Sequence, residues 1–185
     1  MTIILRKEYL NFLQRWKDKS VIKVVSGVRR SGKSTLFAMY KDQLKKTNIL
    51  DEQIISINFE DLCFYELRDF KKLHKYIKEK TFNKAKKYYI FFDEIQHVPL
   101  FEEVIDSLQL RENLDIYLTG SNAFFMSGEL TTLLSDRYVE LKILPLSFKE
   151  FIIYREKIDK KLETNIAYYN EYLKSSFPYT VLLNR

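Results

Sequence analysis

The segment GVRRSGKS at residues 27–34 is the feature that most constrains how this chain can fold. The β-branched run VIKVVS precedes it, and KSTLFAMYKDQLKK continues from it with helical character and no internal helix breaker. The segment fills the pattern GxxxxGK[ST] in the strand, loop and helix context that this pattern requires. A chance glycine-containing turn before a helix is the alternative, and the flanking elements argue against it. We therefore predict a phosphate-binding loop.

The rest of the sequence alternates between strand-like and helical segments. After the loop, four more segments have the composition of strands: residues 54–59, 87–92, 114–120 and 138–144. Helices are expected between them, including residues 122–134, and also over residues 4–16 and after Pro145. Such alternation is typical of an α/β fold with a mainly parallel sheet. We expect residues 1–145 to form the sheet domain.

The residues of the loop indicate what it would bind. Glycines let the backbone bend so that consecutive N–H groups and the positive end of the following helix point at phosphates. Lys33 adds a charge for the β- and γ-phosphates, and the Ser34 hydroxyl is placed to ligate Mg²⁺. We expect ATP and Mg²⁺, with the nucleotide bound by Gly27, Val28, Arg29, Arg30, Ser31, Gly32, Lys33, Ser34 and Thr35. Arg29 and Arg30 are as compatible with solvent as with phosphate.

Two acidic residues follow the apolar strand KYYIFF. Asp93 has the position of a Walker B aspartate, which would hold the metal ion, and Glu94 would polarise the attacking water. Open α/β sheets bind ligands at the carboxyl ends of strands, which is where this pair is expected. Capping of the next helix is the alternative role, and the loop at residues 27–34 makes it the weaker one.

A third polar segment, TGSN at residues 119–122, ends the apolar strand LDIYL. Its hydroxyl and amide groups suit hydrogen bonds to a γ-phosphate or to the attacking water. Ser121 and Asn122 are therefore candidate sensor residues, and Asn122 is also a candidate catalytic residue. Capping of the next helix is the alternative for each residue, and the two roles are compatible.

Four segments, in the order GVRRSGKST, FFDEIQ, LTGSNA and SDRYVELKILPLSFKEF, resemble the AAA+-type ATPases that are often described as archaeal-type or predicted ATPases. The resemblance covers the chain from Ile4 onward. It implies an ASCE-type P-loop domain with strand order 5-1-4-3-2, flanked by helices, and a catalytic glutamate beside the Walker B aspartate. That glutamate coincides with Glu94, which its position alone had indicated.

The resemblance also implies that Arg137 acts as an arginine finger on the γ-phosphate of a neighbouring subunit, and so implies a homo-oligomer. Here the chain departs from the family's pattern, because Asp136 replaces the usual glycine and its carboxylate could pair with Arg137. A surface role is the alternative for Arg137. In the implied strand order Asn58 lies beside the strand that carries Glu94, where its amide would restrain that residue. A turn-forming role is the alternative for Asn58.

Family members continue beyond this length with a winged-helix segment and a further C-terminal domain. The tail NEYLKSSFPYTVLLNR resembles the family's junction, except that Ser175 and Ser176 replace a glycine pair. We therefore expect residues 146–185 to be a partial helical lid and junction, and the chain to be a truncated form.

Composition argues against several classes of protein. No apolar run approaches the roughly 20 residues that span a membrane, and the charged N-terminus lacks a signal peptide's apolar stretch. The single cysteine, Cys63, suits a reducing compartment, so a cytoplasmic location is expected. The net charge is +6, but many lysines lie in helical stretches, which favours solvated helix faces over a nucleic-acid footprint.

These features predict an ATP hydrolase. Lys33, Glu94, Arg137 and Asn122 would carry a Mg²⁺-dependent hydrolysis that is weak in the truncated form. The alternative is a nucleotide-dependent switch that does not hydrolyse ATP and recruits DNA or protein through the same binding residues. A small-molecule kinase is disfavoured, because its acceptor site usually needs an arginine-rich lid that the C-terminal helices lack.

Overall fold

The computed structural model describes residues 5–120, 134, 137–158, 164–174 and 176. Its strands are β1 (Ile22–Gly27), β2 (Ile54–Asn58), β3 (Tyr88–Asp93), β4 (Leu114–Thr119) and β5 (Tyr138–Ile143). Its α-helices are α1 (Lys7–Trp16), α2 (Lys33–Lys45), α3 (Phe70–Lys80), α4 (Phe101–Gln109), α5 (Phe148–Ile158) and α6 (Asn165–Lys174). Short 3-10 helices span Asp51–Gln53, Leu62–Arg68 and Ile95–His97. No helix among these described elements is long and apolar enough to cross a lipid bilayer.

The strands form one sheet in the order β2-β3-β4-β1-β5, and every neighbouring pair is parallel. Read from the other edge this is 5-1-4-3-2, so the expected α/β fold and strand order are confirmed. The chain crosses from β1 to the edge strand β2 and returns through β3 and β4 to lie beside β1. The carboxyl ends of β1, β3 and β4 therefore lie at the same edge of the sheet.

Helices cover both faces of the sheet, which explains why its central strands are apolar. All six residues of each of β1, β3 and β4 are buried, as expected for parallel strands covered on both sides. One apolar cluster joins the sheet to α3 and α4, and a second joins it to α1 and α2. Aromatic rings fill the second cluster, where Phe91 stacks on Tyr117 with ring centroids 4.6 Å apart. This packing gives the carboxyl edge a firm base.

Local structure differs from the sequence-based expectation in two places. The entry helix, expected from residue 4, begins at Lys7. The 3-10 helix Leu62–Arg68 between β2 and α3 was not expected; Asp61 caps it by accepting the Cys63 N–H at 2.9 Å. The helix expected over residues 122–134 lies outside the described residues, apart from Leu134.

The helices after Pro145 have a small apolar cluster of their own. Phe151 of α5 and Tyr168 of α6 are buried in it. Arg155 and Glu171 form an ion pair between the two helices, with 2.9 Å from nitrogen to oxygen. The division of the chain at residue 145 and the role of this helical pair as a lid remain predictions.

A buried ion pair lies between β1 and β4, towards their amino ends. The Lys23 ammonium donates to Asp115, and both side chains are fully buried. Asp115 also accepts hydrogen bonds from the Asp18 N–H at 2.8 Å and from the Tyr117 hydroxyl at 2.9 Å. Burial lowers the pKa of Lys23, and the Asp115 carboxylate opposes that shift. The two charges are tolerated in the core because each has several hydrogen-bond partners.

Replacing Lys23 with methionine should destabilise the domain by about 3–5 kcal/mol, because it leaves the Asp115 carboxylate buried without its cation. Urea unfolding followed by circular dichroism measures this change. Lys75→Met is the matched control, since Lys75 makes an exposed pair with Glu79 at 3.9 Å; it should unfold like the wild-type chain. Equal stability of the two variants would show that the buried pair is not needed for folding.

Candidate functional site

The carboxyl edge of the sheet brings together the two halves of the expected site. Gly27 ends β1, Asp93 ends β3 and Thr119 ends β4. Because β4 lies between β1 and β3, the loop at residues 27–34 and the acidic pair lie on the same side of the molecule. Open α/β sheets bind ligands at this edge.

The loop has a backbone that only glycine adopts easily at two positions. Gly27 has φ of 153° and Gly32 has φ of 101°. A Cβ atom at Gly27 would lie 2.5 Å from the Ile143 carbonyl oxygen and 2.9 Å from the Ser31 hydroxyl, so a larger residue does not fit. Arg30 is also left-handed, with φ of 69°. Such strain in a loop is characteristic of functional segments.

Helix α2 starts directly from the loop. The Leu36 N–H donates to the Gly32 carbonyl at 2.9 Å, so the N–H groups before Leu36 lie in the first turn, where a helix supplies no acceptors. With the positive end of the helix they form a site suited to an anion. Ser31 Oγ lies in this loop, is buried, and has no hydrogen-bond partner among the described residues.

The Lys33 side chain joins the loop to the acidic pair. Its ammonium donates to the Gly27 carbonyl at 3.1 Å and lies 3.3 Å from Glu94 Oε1. The Lys33 side chain is only 4% exposed, and a charge so buried requires oxygen atoms around it. The structure thus places two of the expected catalytic residues, Lys33 and Glu94, in direct contact.

Thr119 connects the acidic pair to the neighbouring strand. Its hydroxyl donates to Asp93 Oδ1 and accepts the Glu94 N–H at 2.9 Å. Glu94 has a left-handed backbone, with φ of 57°, and the bond from its N–H to Thr119 helps to hold this strained conformation. The sequence had suggested that the polar groups after β4 meet phosphate or water. Thr119 bonds to both acids and orients them, and a contact with phosphate or water remains a prediction.

Gln96 is a site residue that the sequence reasoning missed. Its Nε2 lies 2.6 Å from Glu94 Oε2, while Lys33 contacts Oε1. Both oxygens of the Glu94 carboxylate are therefore engaged. The available signal was its position two residues after Glu94 in FFDEIQ. That spacing does not give the side-chain direction, because Glu94 has a left-handed backbone and Gln96 lies in a short 3-10 helix.

Most other loop residues lie at the surface: Val28, Arg29, Arg30, Ser34 and Thr35 are exposed. Among the described residues, Arg29 makes one long contact, with Glu60 at 3.4 Å, and the two side chains are 81% and 49% exposed. The Ser34 hydroxyl and the buried Asp93 carboxylate are the residues that could hold a magnesium ion, since both supply the oxygen ligands that this ion prefers.

Arg137 lies at the opposite end of the sheet from the loop of its own chain. Its carbonyl accepts the N–H of Ile22, the first residue of β1, at 3.0 Å, and β1 then runs roughly 17 Å to Gly27. Its guanidinium pairs with Asp106 of α4 at 2.7 Å, and these side chains are 42% and 44% exposed. Asp136, the partner suggested by the sequence, lies outside the described residues. An arginine side chain cannot bridge that length, so Arg137 does not reach the loop of its own chain.

The sensor candidates fall into two groups. Asn58 is in register with Asp93 across β2 and β3, but its Oδ1 accepts the Glu60 N–H at 3.0 Å. That bond is the turn-forming role that was the alternative for Asn58, and among the described residues no hydrogen bond joins Asn58 to Glu94. Ser121 and Asn122 lie outside the described residues, and their roles remain predictions.

Arg6 joins the loop to the helical segment that follows β5. Its guanidinium donates to the carbonyls of Ser31 at 3.4 Å and Leu144 at 2.9 Å, and it pairs with Glu150 of α5 at 2.9 Å. Burial raises the pKa of Glu150, but hydrogen bonds from Ser147 and Arg6 outweigh that effect and hold the pKa below its usual value. A cleft of about 730 Å³ lies beside this ion pair, between the start of α1 and α5.

The AAA domain family has a sequence model that matches residues 19–152 of this chain. An uncharacterised protein of Haemophilus influenzae is 43% identical over 181 residues, which make up 97% of this chain and 45% of that protein. An uncharacterised protein of Methanocaldococcus jannaschii is 34% identical over 175 residues, 88% of this chain and 37% of that protein. The chain thus spans less than half the length of these curated relatives.

Solved structures share the fold at low sequence identity. The Walker-type ATPase of Pyrococcus abyssi has a TM-score of 0.68 at 17% identity, covering 97% of this chain and 66% of that one. AMPPCP-bound DnaA from Aquifex aeolicus has a TM-score of 0.63 at 14% identity, with coverage of 95% and 57%. The Aeropyrum pernix ORC1 protein in complex with DNA has a TM-score of 0.61 at 12% identity, with coverage of 84% and 49%. The family match, which runs from before β1 into α5, and the five-stranded parallel sheet together establish that this chain belongs to the AAA domain family and carries an AAA+ ATPase-like domain.

Proposed function

We propose that this chain binds ATP with Mg²⁺ in the loop at residues 27–34 and hydrolyses the nucleotide with Glu94 as the general base. The observation that carries the proposal is the contact of Lys33 with Glu94, at 3.3 Å and with both side chains largely buried. A candidate phosphate-binding lysine from the start of α2 and a candidate base from the residue after β3 converge there. Burying two such charges together is costly, and the position of the pair between the loop and the acidic residues at the carboxyl edge favours a functional role over a structural one.

The loop offers a triphosphate three kinds of contact: backbone N–H groups at the start of α2, the Ser31 hydroxyl and the Lys33 ammonium. Lys33 is bonded to Glu94 in the structure. When phosphates enter, their oxygens would replace the carboxylate as partners of Lys33, because they carry more charge. This exchange would free Glu94 Oε1 to accept a proton from the attacking water.

Mg²⁺ would be held by the Ser34 hydroxyl and the Asp93 carboxylate. The Thr119 hydroxyl already engages Asp93 Oδ1, which orients the carboxylate and leaves Oδ2 as an acceptor. When bound with ATP, the ion neutralises charge on the phosphates. The oxygen donors present at the carboxyl edge fit this metal.

The cleft beside Arg6 is the proposed place for the nucleoside part of ATP. It borders the loop through the Arg6 contact with the Ser31 carbonyl. Its lining combines the apolar side chains of Leu5 and Ile153 with the ring of Tyr9, a mixture suited to a planar base. The volume, about 730 Å³, is in the range of small-molecule sites.

We further propose that Arg137 completes the site of a neighbouring subunit in a homo-oligomer. Two observations support this: its side chain is 42% exposed, and it lies away from the loop of its own chain. Its ion pair with Asp106 would open when Arg137 turns to a phosphate. An arginine supplied in this way stabilises charge in the transition state of phosphoryl transfer.

A switch that binds ATP without hydrolysing it is the second candidate function. It would use the same loop, and its output would be the recruitment of DNA or protein. The DNA in the ORC1 structure belongs to that protein, and for this chain the net charge of +6 gives a nucleic-acid partner modest support. Turnover of ATP by the wild-type chain distinguishes the two candidates.

Lys33→Ala should weaken ATP binding by about ten- to a hundredfold, because a charge-assisted contact to phosphate is worth about 1.5–3 kcal/mol. Titration calorimetry with ATP and Mg²⁺ measures the affinity. Lys45→Ala is the matched control, since Lys45 lies on the same helix and makes an exposed pair with Asp51 at 2.8 Å. A folded Lys33→Ala variant with wild-type affinity would remove the central claim.

Glu94→Gln and Asp93→Asn should affect different steps, turnover in the first variant and Mg²⁺-dependent binding as well in the second. The glutamine cannot accept the proton from water, so Glu94→Gln should bind ATP within a fewfold of wild type and lose turnover by about 10²–10⁴. Asp93→Asn should also weaken the Mg²⁺-dependent part of binding, because it removes a charged ligand. Calorimetry with and without Mg²⁺, together with phosphate release, separates these effects. Equal losses of binding and turnover in both variants would refute the division of labour.

The rate of ATP turnover per chain should rise with protein concentration in the wild-type protein. In the Arg137→Ala variant this rate should not depend on protein concentration. An arginine supplied by another subunit contributes about 10³–10⁵ in rate where it completes a phosphoryl-transfer site. Phosphate release over a range of protein concentrations, with mass from light scattering, tests this. Arg15→Ala, an exposed arginine on α1, is the control. Brisk, concentration-independent hydrolysis by a monomer that survives Arg137→Ala would exclude the proposed role.

A further inference from the structure

Gln96 holds the oxygen of Glu94 that Lys33 does not contact. The distance from Gln96 Nε2 to Glu94 Oε2 is 2.6 Å, and that from Lys33 Nζ to Glu94 Oε1 is 3.3 Å. A carboxylate bonded at both oxygens has a defined plane. If Lys33 turns to the phosphates of ATP, its contact with Glu94 is lost. The hydrogen bond from Gln96 to Glu94 can persist during the reaction.

The direction of the Gln96 amide follows from the chemistry of its partner. An ionised carboxylate only accepts hydrogen bonds, so the amide nitrogen must face Glu94 and the amide oxygen must point away from that bond. Gln96 Oε1 is buried and has no hydrogen-bond partner among the described residues. Buried oxygens in proteins almost always receive a hydrogen bond. An acceptor beside the candidate base therefore suits a ligand that brings an O–H group.

The backbone that carries Gln96 is firmly held. Gln96 lies in the 3-10 helix Ile95–His97, which Glu94 precedes in its left-handed conformation. Ile95 and Val98, on either side of Gln96, are fully buried, and the Val98 N–H donates to the Ile95 carbonyl at 2.9 Å. Two buried anchors and a closed turn fix where the Gln96 side chain begins, which is what a positioning residue requires.

We propose that Gln96 positions Glu94 for catalysis and that Gln96 Oε1 accepts one O–H of the attacking water while Glu94 accepts the other. This inference rests on the hydrolysis proposed above. The water oxygen forms a bond to the γ-phosphorus as its proton passes to Glu94. The bond from the γ-phosphorus to the bridging oxygen breaks, and ADP leaves with that electron pair. The remaining O–H stays on the phosphate product, so the two acceptors orient the water without any further reactant.

Gln96→Met tests this assignment, because methionine nearly keeps the shape of glutamine and removes both hydrogen bonds. We expect single-turnover hydrolysis, measured with protein in excess over ATP, to slow by about ten- to a hundredfold. The ATP dissociation constant from calorimetry should stay within about twofold of wild type, since Gln96 does not contact the phosphates. Gln96→Glu should be at least as slow, because it replaces the donor with a negative charge beside Glu94.

Gln53→Met is the matched control. Gln53 also donates one side-chain hydrogen bond, to the Lys87 carbonyl at 2.8 Å, but it precedes β2 at the other end of the sheet. A Gln96→Met variant that hydrolyses ATP as fast as Gln53→Met would overturn the inference while leaving the proposed hydrolysis intact. A parallel loss of ATP affinity and rate would also overturn it, because it would indicate damage to the loop. Both proposals would be overturned by a wild-type chain that shows no turnover. They would also be overturned by turnover that Glu94→Gln leaves unchanged.

Discussion

The ion pair of Lys33 and Glu94 is the interaction on which the candidate site depends. Lys33 follows β1 and Glu94 follows β3, so the pair forms only because β4 lies between these strands and all three run in the same direction. A largely buried pair of charges persists only where other polar groups complete its hydrogen bonds. The Gly27 carbonyl does this for Lys33, and the Gln96 amide does it for Glu94. The loop and the acids therefore form one unit rather than two neighbouring motifs.

Four residues with a positive φ angle lie at the same edge of the sheet. Gly27, Arg30, Gly32 and Glu94 all have positive φ, and each such non-glycine residue costs of order 1–3 kcal/mol. The cost is offset by the strands beneath, which bury every residue of β1, β3 and β4 between two layers of helices. A rigid base of this kind keeps polar groups in place before a ligand arrives, which reduces the rearrangement that binding or catalysis would need.

Two arginines extend the site beyond the loop in different ways. Arg6 contacts the loop, the segment after β5 and helix α5. A movement of α5 would therefore shift Arg6 and change its hydrogen bond to the Ser31 carbonyl. Arg137 lies at the far end of β1 and β5 and pairs with Asp106. The Arg6 contacts couple parts of one chain, whereas the role proposed for Arg137 lies between chains. Regulation of the proposed reaction would then depend on the contacts of Arg6 and Arg137, which lie outside the strand-loop-helix motif of residues 22–45.

The sequence by itself determined the α/β fold class and the positions of the loop at residues 27–34 and of the acidic pair, because hydrophobic periodicity and motif spacing reflect local backbone geometry. The strand order followed from the family resemblance that those motifs support. Tertiary structure alone decided which side chains meet. Thr119 bonds to Asp93 across 26 positions, Arg137 to Asp106 across 31, and Arg6 to Glu150 across 144. Asn58 occupies the expected register but turns to the Glu60 N–H. Gln96 bonds to Glu94, whose own backbone is left-handed. Side-chain direction at a strand end depends on the turn that follows and on the packing around it, and neither is encoded in the spacing of a motif.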